Sequence, residues 1–207
     1  MKSIIYFVFI LMHNCFCFGQ IREYKLIKKE KFQKIEKSIN KNLSKDSLDA
    51  RSYFVKGVLY NQKKFEKFNP EIAYLNFQKS TKYYYRLDDK NRQKIDKEGI
   101  IPDTIFYHRE ISFELGLKIA ISKNTIEGYQ HFIDYYVGAT TQRVSAENNR
   151  NVLAFQVAQL ENTEDGYINF LQSYPNALQT DSAIKHRDGR AFETAKKKKH
   201  LKLLLPF

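Results

Sequence analysis

Four histidines lie beyond the first twenty residues, His108, His131, His186 and His200, and imidazole is the side chain best placed for metal ligation or proton transfer near neutral pH. They share no ligand-type spacing and no H-E-x-x-H pair occurs, so the sequence implies no bound metal. His108-Arg109-Glu110 reads as polar helix surface. Phosphate-cradling glycine loops of the G-x-G-x-x-G and P-loop kinds are absent, as is a nucleophile turn of the G-x-S type. Asp88-Asp89 has the chemistry for acid–base work, but no convergent polar set accompanies it and the pair reads as turn residues. No catalytic, cofactor-binding or metal residue is assigned, and the chain is read as a non-enzyme without a cofactor.

Two further sets have the chemistry to bind an acidic polymer. Lys196 to Lys199, with Arg187 and Arg190, offer phosphate contacts. Tyr83-Tyr84-Tyr85, between Lys82 and Arg86, has the composition of a base-stacking platform. Against these stand plainer readings: a solvated lysine-rich surface, and an aromatic helix end that packs on the next helix. The formal charge is +12, and +11 once residues 1–19, whose one charge is Lys2, are removed. That sign favours acidic partners in general.

The first residues favour export, which takes nucleic acid out of reach. Lys2 precedes an unbroken apolar run from Ile4 to Met12, and Cys17-Phe18-Gly19 puts small residues at −3 and −1 of a cleavage between Gly19 and Gln20. The run is short against the roughly 20 residues that span a bilayer. Lipidation at Cys15 or Cys17 is the lesser reading, because Asn14 and Phe16 are poor residues before a lipidated cysteine. Both cysteines fall in the removed segment, so the mature chain has no disulfide and must be stabilised by packing.

The elements that position these groups are legible from an internal repeat. Asn124-Thr125, Gly128-Tyr129-x-x-Phe132-x-x-x-Tyr136-x-x-Ala139 and Arg150-x-x-x-Ala154-Phe155-x-x-Ala158 recur as Asn162-Thr163, Gly166-Tyr167-x-x-Phe170-x-x-x-Tyr174-x-x-Ala177 and Arg187-x-x-x-Ala191-Phe192-x-x-Ala195. The front halves are offset by 38 and the back halves by 37. Such a period marks stacked supersecondary units. Thr125 and Thr163 fit the N-cap, worth about 1 kcal/mol each, and Glu127, Glu164 and Asp165 put negative charge at helix N-termini. A partial copy, Leu115-Gly116-Leu117-x-x-Ala120-x-x-x-Asn124-Thr125, precedes them on a helix opened by Pro102 whose expected inner face is Phe106, Phe113, Leu117 and Ala120.

Upstream, Ala50, Tyr53, Gly57 and Tyr60 recur at helical spacing, Lys63 to Asn69 read as a polar connection, and Pro70 opens a helix carrying Ala73, Phe77 and Ser80. Tyr53, Gly57, Tyr60, Ala73, Phe77 and Ser80 resemble, in order, the aromatic and small positions of a tetratricopeptide repeat, with a connection about four residues longer than its 34-residue unit allows. Over residues 47–198 the chain resembles the divergent tetratricopeptide-like proteins of the Gram-negative envelope. The resemblance implies an all-α fold: a right-handed α-solenoid of stacked antiparallel helix pairs whose concave groove takes a protein or peptide.

The expected organisation is a signal peptide over 1–19, one amphipathic helix over 20–46, repeats over 47–88, 124–161 and 162–198, a linker and partial repeat over 89–123, and an aberrant tail over 199–207. The next Asn-Thr should fall near 199–200, where Lys199-His200 stands instead; if Lys199 is encoded AAA, a frameshift in the lysine tract restores an Asn, and a natural cap is the alternative. The expected structural core is Tyr53, Gly57, Tyr60, Ala73, Phe77, Tyr129, Phe132, Ala154, Phe155, Tyr167, Phe170, Ala191 and Phe192. Function is read as a protein-interaction scaffold in the periplasm or outer envelope. The alternatives are a basic module on an acidic envelope polymer or membrane surface, and a fragment of a larger envelope protein.

Overall fold

The computed structural model describes residues 21–204, with side chains through residue 200. The signal peptide and its Gly19–Gln20 cleavage lie outside the described residues. Those described form an all-α fold of ten helices with no strand among them: α1 Arg22–Lys28, α2 Phe32–Lys45, α3 Ala50–Tyr60, α4 Pro70–Tyr84, α5 Asp89–Asp96, α6 Pro102–Lys123, α7 Ile126–Tyr135, α8 Thr140–Glu161, α9 Glu164–Ser173 and α10 Thr180–Leu204. The chain divides into two compact units at Gly116 and Leu117.

In the first unit α3 and α4 run antiparallel at close range. An added Cβ on Gly57 would lie 2.6 Å from the Phe77 ring, so the glycine is required by the approach of the two helices. Ser80 donates its hydroxyl to the Ala50 carbonyl at 2.9 Å, which satisfies a buried polar group across the same seam. Asn69 caps α4 by accepting from the Glu71 and Ile72 amides, with Pro70 in the first turn as expected.

Three expectations are corrected here. The stretch expected as one helix over 20–46 holds two helices among its described residues, because Glu30 takes a left-handed conformation (φ 54°). The Glu30 amide donates to Ile27 and the Lys31 amide to Leu26, the paired bonds of a Schellman turn. Residues 63–69 are not merely polar: Phe65 is buried against Phe32 and Tyr60, at ring separations of 5.7 and 5.3 Å, and plugs the long connection into the core. Tyr53 is only half-buried, its hydroxyl donating to the Ser47 carbonyl, while its neighbour Phe54 is fully buried. The helical phase turns the second of the two adjacent aromatics inward.

The second unit repeats at atomic detail. Asn124 and Asn162 sit in left-handed conformation (φ 48° and 51°). Each offers its side-chain oxygen to the tyrosine five residues on: Tyr129 at 3.2 Å and Tyr167 at 3.4 Å. Thr125 and Thr163 accept the Gly128 and Gly166 amides at 2.9 and 3.0 Å. Both short helices end with the same pair of turns, Tyr136 to Phe132 and Ala139 to Tyr136 in one copy, Tyr174 to Phe170 and Ala177 to Tyr174 in the other. Helix α8 packs on α7 and α9, and α9 packs also on α10. Tyr129, Phe132, Ala154, Tyr167 and Phe170 are buried, and Phe155 is half-buried.

The last members of the expected core are not in it. Phe192 is 67% exposed and Ala191 half-buried, because no element among the described residues covers that face of α10. Phe106 is likewise exposed on α6, where Thr104, Ile105, His108, Ser112 and Phe113 take the inner face. Nor does residue 199 bound an element, since α10 continues to Leu204. In α8 the helix stops at left-handed Asn162; the equivalent position, Lys199, has no such preference.

The Gly57 packing makes a signed prediction. Alanine exceeds glycine as a helix former by about 1 kcal/mol, yet Gly57→Ala forces a methyl into the Phe77 ring. The variant is expected to lose about 1–3 kcal/mol, as overpacked cores do, read from the urea midpoint. A raised midpoint would show that helix preference outweighs the contact.

Candidate functional site

The sequence-predicted groups are dispersed by the fold. His131 is exposed on α7, His186 stacks on Tyr167 at 5.3 Å and 13°, and His200 is exposed on α10. No group of three His, Cys, Asp or Glu suited to holding a metal occurs among the described residues. The tyrosine run is not a platform. Tyr84 is buried and donates to Asp96 at 2.8 Å, and Tyr83 packs on Tyr53 at 5.4 Å, which leaves Tyr85 exposed. Burial first, then the Asp96 carboxylate, pushes the Tyr84 hydroxyl up to about 12. Asp88 caps α5, as a turn residue should. No helix among the described residues is long and apolar enough to cross a membrane.

His108 is the group that sequence reasoning misplaced. It is buried, with Phe54 edge-on at 5.3 Å and Phe77 stacked at 6.0 Å. The Tyr24 hydroxyl lies 2.8 Å from its Nε2. Burial holds the imidazole down at about 4 and pushes the Tyr24 phenol up, so a protonated hydroxyl and a neutral ring share this hydrogen bond. Asn61 completes the polar seam by donating to the His108 carbonyl and to the Ser112 hydroxyl, at 3.3 and 3.0 Å. The sequence signal was present: His108 falls three residues after Ile105 and four before Ser112, on the inner stripe. This cluster is buried apart from the half-buried Tyr24 and serves the packing of the first unit.

Elsewhere in the first unit a cleft of about 450 Å³ is lined by Asp46, Asp49, Arg51, Asn91, Lys94 and Glu98, with Ala50, Leu87 and Ile95. Arg51 is engaged there by Glu23 and Glu98 at 2.8 and 2.6 Å. Burial alone would lower its guanidinium, but hydrogen bonds to both carboxylates outweigh that and hold it above its ordinary value. With its charge matched twice, Arg51 makes a structural junction.

The second unit instead displays apolar side chains: Leu160 is 86% exposed, Leu178 82% and Val137 70%. On α10, Lys196 to Lys199 and Arg190 are exposed, while Arg187 pairs with Asp188 at 2.8 Å. No family model, curated protein or solved structure matches the chain.

The burial of His108 predicts a pH dependence. The unfolded chain takes up a proton near pH 6.5 that the folded ring refuses until about pH 4. The stability this group supplies is complete above 6.5 and is lost progressively as the pH falls toward 4, by about 2 kcal/mol at pH 5. The urea midpoint is expected to fall between pH 7.5 and 5, and to fall far less in His108→Gln. An equal decline in that variant would place the linkage elsewhere.

Proposed function

We propose that the chain is an exported helical-repeat scaffold, a right-handed tetratricopeptide-like α-solenoid that binds a protein or peptide in the periplasm or outer envelope and catalyses nothing itself. The observation that carries the reading is the recurrence of one junction, Asn-Thr with its tyrosine, at both Asn124 and Asn162, together with the packing of α7 on α8, α8 on α9 and α9 on α10. Repeats of this kind offer broad surfaces built from side chains not needed for stacking. Leu160 and Leu178 are such side chains. The basic run Lys196–Lys199 supports the second reading, a module on an acidic envelope polymer or membrane surface.

Photocrosslinking residues placed at Leu160 and Leu178 of the full-length precursor, expressed in a Gram-negative host, separate the two. The scaffold reading expects mature chain beginning at Gln20 in the envelope fraction, with discrete protein adducts at one or both positions. Absence of protein adducts, with retention on heparin resin that modest salt releases, would replace it with the polymer-binding reading.

A further inference from the structure

The two copies differ in what lies over their long helices. On α8, Ala154 and Ala158 are buried and Phe155 is packed by the next short helix, its ring 5.3 Å from Phe170 and 6.4 Å from Tyr167. The Arg150 guanidinium lies over the ring of Tyr174, at 4.8 Å from its centre. One repeat later α10 carries the same set, Arg187, Ala191, Phe192 and Ala195, at an offset of 37. There Phe192 is 67% exposed, Ala195 exposed and Ala191 half-covered. Arg187, with no tyrosine beneath it among the described residues, pairs with Asp188.

We propose that this face of α10 docks an amphipathic helix from a partner protein bearing Tyr-x-x-Phe-x-x-x-Tyr and an acidic first turn. The inference rests on the repeat-scaffold reading. The occupant is specified by continuity with the α8–α9 interface: Phe192 receives the first tyrosine and the phenylalanine, the two alanines admit the helix closely, and Arg187 takes the final ring. Charge specifies the acidic turn. Glu161 of α8 reaches Gly166, its carboxylate oxygen within 2.6 Å of where a Cβ would stand, and so marks where the docked helix begins. The equivalent of Glu161 on α10 is Lys198, within an exposed run of lysines. A helix N-terminus is repelled by that cationic run unless it carries carboxylates, as α9 does at Glu164 and Asp165.

The probe is a fluorescent peptide of residues 161–176, held helical by a hydrocarbon staple between positions 168 and 172 that leaves the carboxylates of Glu164 and Asp165 free, and titrated into the mature chain. Saturable binding is expected, weakened at least tenfold by Phe192→Ala in the protein or Phe170→Ala in the peptide, and weakened by Lys198→Glu. Because Phe192 is exposed, its truncation leaves the fold intact. Binding indifferent to Phe192, no saturable binding, or a Phe192-dependent dimer in sedimentation that the peptide does not displace would each overturn the proposal. Protein adducts at Leu160 or Leu178 alongside such a failure would leave the scaffold reading standing and remove only this face.

Discussion

The junction between one long helix and the next short one is the constraint on which the second unit is built. A single asparagine bends the chain by adopting left-handed geometry, and its side chain then receives the hydroxyl of the tyrosine that the following helix turns inward. The adjacent threonine closes the first turn of that helix by accepting a glycine amide. Together the two residues fix where the helix begins and the rotation at which it presents Tyr-x-x-Phe. Since α8, α9 and α10 each pack on the helix before them, an error at the Asn162 junction would displace the rings that follow. Left-handed geometry disfavours most side chains, and asparagine is among the few that tolerate it.

The first unit reaches stability by other means. Its seams carry polar groups, Ser80 to Ala50, Asn61 to Ser112 and Tyr24 to His108, each with a partner inside the core. Buried polar groups raise the cost of misalignment, because a shifted helix leaves them unpaired. Arg51 acts similarly by joining Glu23 of α1 to Glu98 after α5. With the two cysteines confined to residues 15 and 17, no crosslink is available to the rest of the chain, and these seams with their aromatic fillers supply the order.

How much of this was legible follows from what each signal encodes. Caps at Thr125 and Thr163, the first-turn Pro70 and the small Gly57 opposite Phe77 are local or pairwise features, and spacing reveals them. The break at Glu30 was hidden because the turn uses neither glycine nor asparagine; its one trace is the five-residue step from Ile27 to Phe32. Phe65 was missed because its neighbours are lysine and glutamate, though a lone aromatic in a charged loop is a sign of a plug. His108 was read by its type when its phase placed it inward. Phe192 shows the limit of periodicity, which reports that a face is apolar and says nothing of whether a neighbour covers it. The same limit applies to the candidate site, which the sequence marked as core.

Stability in a stacked chain is close to a sum of nearest-neighbour terms, and that gives the two halves of α10 different standing. Its first half is anchored by Ala183, fully buried against the preceding elements, and Tyr167 stacks on His186. From Asp188 to His200 no residue is buried. Four consecutive lysines also place like charges around one turn, where their repulsion works against the helix. They lie near its C-terminal end, where the macrodipole favours cations and offsets part of that cost. The distal half therefore depends on its own backbone bonds far more than the covered α8 does. A helix laid across Phe192 would bury apolar surface and bring carboxylates to the lysines at once, so docking and ordering of α10 would draw on the same contacts. Recognition at such a face is coupled to the stability of the helix that provides it.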